Sequence, residues 1–168
     1  MEQTFTKPEL PRYTQRPFPA YRYLPFTALP HPRNDPGGHS YHDDEDYLPH
    51  FSADDWPRCE PYLYGIDLFN HGYWWESHEA LETVWLAAGQ KSTLCGSFVQ
   101  GLLQLAGAQL KRFVGVPRGA QSLTLGGCER LAEAEGIYLG IEVASLIDVA
   151  CRCLREDHGE YPSIELHF

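Results

Sequence analysis

Proline divides this chain in two. Eleven of its thirteen prolines lie between Pro8 and Pro61. Each removes a backbone donor and clashes with the preceding turn, so the first third cannot be built of regular helix. Yet that stretch carries Tyr13, Phe18, Tyr21, Tyr23 and Phe26, which is not the composition of a solvated tail. The sequence therefore predicts an extended arm from Arg12 to Pro57, ordered by laying its aromatic rings on a helical body. Residues 1–57 form the arm and residues 58–168 the helical domain, and a chain of 168 residues suits one hydrophobic core.

Beyond Pro61 the spacing becomes helical. A helix is expected to start near Tyr62 or Tyr64, to break between Asn70 and Gly72, and to run on through Trp85 to a stop at Gly89. The next should run from Ser92 or Thr93 to Phe113, with Leu94, Ser97, Phe98, Gly101, Gln104, Leu105 and Ala108 facing inward. Its small residues permit a close antiparallel approach to the helix before it. A weaker helix from Arg118 to Glu135 is interrupted by Gly126-Gly127 and ended by Gly136 to Gly140. A last one fits Glu142 to Leu154, and Tyr161 to Leu166 alternates as a short strand or an extended cap. The fold class is all-α, a bundle of four to five helices.

Phe69 to Trp85 is the chemically dense part, with two histidines, three glutamates and three tryptophans in seventeen residues. At roughly 100° per residue, His71, Trp74, Trp75, His78, Leu81, Glu82 and Trp85 share one face. A carboxylate there needs a counter-charge, donors or a metal. His78 and Glu82, at i and i+4, can act on one partner. Glu79 flanks that face and Glu76 points further away. Across the contact, Gln100 and Gln104 offer amides to His78 or Glu82. In the arm, the run from Pro30 to His42 can present His31, Asp35 and His39 inward, because proline fixes its backbone and glycine permits tight reversal.

The formal net charge of −10 argues against nucleic acid or an anionic membrane surface as the main partner. Asp43 to Asp46 and Asp54-Asp55 read as solvated loop charges without calcium-loop spacing. Five cysteines with no CxxC pair, and no signal-peptide pattern, predict a reduced, cytoplasmic protein. No apolar run reaches membrane-spanning length. A small-molecule substrate and self-association into a homo-oligomer are both compatible with this composition.

The chain resembles domain of unknown function family 309, a small all-helical family catalogued as predicted metal-dependent hydrolases. The resemblance rests on Phe69-x-x-Gly72-x-Trp74-x-Glu76-x-His78-Glu79-x-Leu81-Glu82-x-x-Trp85 and on Phe98-x-Gln100-Gly101-Leu102-Leu103-Gln104-Leu105-Ala106. Pro30-His31-Pro32 and Asp35-Pro36-x-Gly38-His39-Ser40-Tyr41 are similar to longer bacterial members. It implies a compact bundle whose shared polar residues are Glu76, His78, Glu79, Glu82, Gln100 and Gln104.

His78-Glu79-Ala80-Leu81-Glu82 is HExxE, lacking the second histidine of the HExxH zinc helix. The expected site is a divalent cation, zinc or similar, held by His78 and Glu82, with His31, His39 or His71 as a third ligand. Glu79, or Glu76, is the expected catalytic acid or base. Trp74, Trp75, Trp85, His71, Gln100 and Gln104 are the expected binding residues. The alternative is a metal-free binding or structural protein in which His78, Glu82 and Gln104 only fix helix packing. A di-iron bundle fits less well, because no Glu-x-x-His pair stands in the core helices.

Overall fold

The structure is a computed structural model that describes residues 10–156 and 159–168. Its helices begin where the prolines cease to forbid them. A 3₁₀ turn, Trp56–Arg58, leads into α1, Glu60–Asn70, which starts with Pro61 in its first turn, where a missing N–H costs nothing. Gly72, at φ 81°, turns the chain, and α2 then runs Trp74–Ala87. Gly89, at φ 87°, ends that run as expected. A 3₁₀ turn at Gln90–Ser92 follows, and Thr93 caps α3, Leu94–Phe113, by accepting from Gly96 N at 2.9 Å. α4 is Pro117–Leu131 and α5 is Val143–Arg155.

The five helices form the expected all-α bundle, with one small addition. Ile137–Tyr138 (β1) and Ile141–Glu142 (β2) pair antiparallel as a two-stranded hairpin. Its turn residues, Leu139 and Gly140, both adopt positive φ, as a two-residue hairpin turn requires. The glycines of that segment therefore do more than end a helix. No helix of the described residues is long and apolar enough to cross a membrane.

The core lies between α1, α2, α3 and α4, on Tyr62, Ile66, Phe69, Trp74, Leu81, Phe98, Leu102, Leu105 and Leu131. Trp74, Ser77, Leu81 and Val84 are the face that α2 turns to it. The close helix approach departs from expectation. A Cβ on Gly101 would stand 2.9 Å from the carbonyl oxygen of Gly127 and 3.0 Å from Leu131 Cγ. The tight partner of α3 is thus α4, not α2, and Gly127 is the matching concession on the other side. Leu94, expected to face inward, is exposed at the first position of α3, although Cys95, Gly96 and Ser97 of the same turn are buried.

Among the described residues, 10–55 of the arm form no helix or strand, as its prolines dictate, but the arm is anchored. Asp67 of α1 is fully buried. Its carboxylate accepts from Tyr13 N at 2.8 Å, Thr14 N at 3.0 Å, Thr14 Oγ1 at 2.7 Å and Arg12 Nε at 3.1 Å. The C-terminal tail is extended, outside any sheet. Asn70 holds it, donating from Nδ2 to Ile164 O at 2.8 Å and accepting from Ile164 N at 2.7 Å. Tyr13 Oη accepts from Leu166 N at 2.9 Å, so arm and tail lie side by side.

Candidate functional site

Three faces of α2 meet three different surroundings, because 3.6 residues per turn distributes consecutive side chains around the axis. Its inner face joins the core. A second, with His78, Glu82 and Trp85, borders a cleft against α3 and α4. The third, with Trp75, Glu76 and Glu79, lies under the arm.

Three ligand-capable groups meet where the second face borders the third, His78 and Glu82 from the second and Glu79 from the third. One ligand atom each from His78, Glu79 and Glu82 lies within 4.8 Å of the others. Glu82 stands i+4 from His78 and i+3 from Glu79, the two spacings that make neighbours on a helix surface. His78 and Glu79 are partly exposed, with His78 Nδ1 4.0 Å from Glu79 Oε1. The other oxygen, Glu79 Oε2, accepts from Arg33 Nε at 3.1 Å. Arg33 thus holds one oxygen and leaves its twin beside His78.

The adjoining cleft has a volume of about 240 Å³ and is lined by His78, Glu82, Trp85, Gln100, Gln104 and Leu123, among others. Three buried polar atoms of this lining, Trp85 Nε1, Gln100 Oε1 and Gln104 Oε1, have no hydrogen-bond partner among the described residues. The expected bonds from these glutamines to His78 or Glu82 are not made. A buried polar atom without a partner costs roughly 1–3 kcal/mol, so these three atoms, two acceptors and one donor, are the unused hydrogen-bonding capacity of the cleft.

The third face differs from the sequence reading. Glu76, expected to point away, is the buried acid of α2, with its side chain 5% exposed, as is that of His39. Its Oε1 accepts from Tyr23 N at 2.8 Å and lies 2.9 Å from His39 Nε2. Its Oε2 is buried without a partner. Burial raises the Glu76 carboxyl above its ordinary range, opposed by the hydrogen bonds from His39 and Tyr23.

The arm loop therefore reaches α2, but not where a third ligand was expected. His39 goes to Glu76. His31 sits edge-on to Trp75 and Tyr23, at 5.4 and 5.2 Å between ring centres, and its Nδ1 accepts from Arg33 N and Asn34 N, both at 3.3 Å. His71 packs on Phe18, with Nδ1 2.8 Å from Asp67 O. It leaves the α2 stripe because Gly72 redirects the backbone between them. Trp74 is a core residue against Phe113 and Tyr161, so it lies away from the cleft, and Trp75 faces the arm. The group that completes the cluster is Glu79.

Arg33, Ser40 and Asp67 were not singled out from the sequence. The signal for Asp67 was there: a lone acid in the apolar run Ile66 to Phe69 must be buried or break the helix face.

Residues 62–123 match the family model described as Domain of unknown function (DUF309). That segment runs from α1 into α4, so it holds His78, Glu79, Glu82, Gln100 and Gln104. The loop bearing His31 and His39 lies outside it, and the match is narrower than the resemblance suggested. No curated protein matches the chain.

Proposed function

We propose that this protein is a metal-dependent hydrolase of a small, largely uncharged molecule, with His78, Glu79 and Glu82 as the cation's ligands. The observation that supports this is their convergence within 4.8 Å beside a cleft. One nitrogen and two carboxylate oxygens suit zinc or a similar divalent ion, and three protein ligands leave a coordination position open. When bound, such an ion supplies Lewis acidity toward a carbonyl or phosphoryl oxygen.

The chain's own residues would do the rest. Arg33 aims Glu79 by holding its second oxygen, an outer partner of the kind that orients metal ligands. Gln100 and Gln104 accept from N–H or O–H groups of the substrate, and Trp85 Nε1 donates to one of its oxygens. Leu103 and Leu123 cover its apolar body. Metal analysis of protein purified without added metal should find a stoichiometric divalent ion that His78→Ala and Glu82→Gln lose, with a chelator lowering the thermal midpoint of the parent chain. Absence of the ion from the parent would refute the reading. Ligand-induced thermal stabilisation that a chelator leaves unchanged would instead make the cleft a metal-free binding site.

A further inference from the structure

The loop from His31 to Tyr41 is built more tightly than a tether requires. Gly38 N donates to Asp35 O at 2.8 Å and Ser40 N to Pro32 O at 3.1 Å. A Cβ on Gly38 would stand 2.2 Å from Pro32 O and 2.4 Å from His31 O, so only glycine closes the loop. Tyr21 steadies the result, with its ring centre 4.6 Å from that of His39 and its hydroxyl accepting from His39 N at 3.1 Å.

What this construction fixes is His39 between two partners. Nε2 stands 2.9 Å from Glu76 Oε1 and Nδ1 stands 2.7 Å from Ser40 Oγ. With Nε2–H donating to the carboxylate, the lone pair of Nδ1 faces the serine hydroxyl, which is the tautomer a general base needs. The two ring nitrogens exchange the places they hold in the familiar serine–histidine–acid arrangement, but the roles are available. A cleft of about 100 Å³ opens on this group, lined by Arg16, Arg33, His39, Ser40, Trp75 and Glu76, among others.

We propose that Ser40, His39 and Glu76 form a nucleophile, base and carboxylate relay that hydrolyses small esters without a metal. Ser40 Oγ attacks the ester carbonyl carbon and its proton passes to His39 Nδ1. The imidazolium is stabilised by Glu76, and Arg16 and Arg33, which border the cleft in ion pairs with Asp46 and Glu79, offer N–H donors to the carbonyl oxygen as it becomes anionic. As the C–O bond breaks, His39 returns the proton to the leaving alkoxide, and an acyl group stays on Ser40. Water then attacks that acyl carbon and loses a proton to His39, which passes it to Ser40 Oγ as the acid departs. The small cleft limits the acyl group to one of a few carbons.

The relay needs no cation, although Arg33 also holds Glu79 of the cation site, so the test is run after treatment with a chelator. The full chain is incubated with a fluorophosphonate, which exchanges its P–F bond for an Oγ–P bond. Fragment ions of the tryptic peptide 34–58 then distinguish Ser40 from Ser52. The expected result is an adduct on Ser40 of the folded chain, absent in urea, and slowed at least about tenfold by Glu76→Gln. Ser40→Ala should abolish it with an unchanged circular dichroism spectrum. His39→Ala should stop labelling and added imidazole should restore it, which a merely structural role for His39 does not allow. No adduct on Ser40, equal labelling in urea, or no response to imidazole would each overturn the proposal.

Discussion

Asp67→Ala isolates what ties the arm to the body. The carboxylate is fully buried and accepts four donors from Arg12, Tyr13 and Thr14. Hydrogen bonds to a charged group contribute roughly 1.5–3 kcal/mol each, a gross sum of about 6–12 kcal/mol. The loss cannot reach that figure, because a released arm returns its donors to water. What remains is the net contribution of one charge-assisted bond, about 1.5–3 kcal/mol, because the Arg12 side chain is 31% exposed and no charge is left buried alone. At about 1.4 kcal/mol per decade, the opening equilibrium around residues 12–14 should rise by about one to two orders of magnitude. Native-state hydrogen exchange reads this residue by residue. The Tyr13 and Thr14 amides should lose protection, and so should Leu166, whose N–H depends on Tyr13 Oη. The Tyr23 amide, held by Glu76, should not change. Unchanged exchange at Tyr13 and Thr14 would refute the anchoring role, and equal loss at Tyr23 would show that the arm detaches as a whole.

Two glycines of α3 should respond to alanine with opposite signs. Each gains about 1 kcal/mol of helix propensity, but Gly101→Ala drives a Cβ into the Gly127 carbonyl of α4 and should lose about 1–2 kcal/mol net. Gly107→Ala meets only Leu123 Cδ1, at 3.3 Å, and should be stabilising by about 0.5–1 kcal/mol. Urea midpoints at constant slope test both. Tyr62→Phe removes the buried bond from its hydroxyl to Leu139 O at 2.8 Å. Calorimetry should show a loss of about 1–2 kcal/mol. The Cys128 thiol, 3.8 Å from Cys151 Sγ, is pushed up to about 12 by burial and then by its neighbour. The folded chain therefore keeps a proton that the unfolded chain has lost above the ordinary value of 9.0. Stability should hold below that pH and fall as pH climbs toward about 12, with Cys128→Ala flattening the decline in urea titrations. At pH 8 iodoacetamide should reach the half-buried Cys151 well before Cys128.

The helices were legible in the sequence because their signals are local. Thr93 as a cap, Gly89 as a stop and apolar spacing over Leu94–Phe113 all act within a few residues of one another. Partner choice is not local. The small residues of α3 announce a close approach, but only Gly127, in a stretch that propensity counts as weak, says which helix takes it. The nearness of His78 and Glu82 follows from helix periodicity alone, whereas Glu79 joins them from the flank while Arg33 of the arm holds its other oxygen. Glu76 and Asp67 do not, since their partners are main-chain and side-chain groups of the arm, 37 to 55 positions away. Periodicity placed His71 on the stripe of α2, and one glycine at φ 81° removed it.

The clasp of Asn70 on residue 164 fixes more than position. A primary amide that both gives to and takes from the main chain of one residue imitates the edge of a neighbouring strand, so a single side chain dictates the tail's phase. In that phase Ile164 and Leu166 are buried while Ser163 and Glu165 are exposed. A slip by one residue would turn a hydroxyl and a carboxylate toward hydrocarbon and put isoleucine and leucine into water. One asparagine thus acts as the pawl of a ratchet, and replacing it would permit the tail a choice of settings.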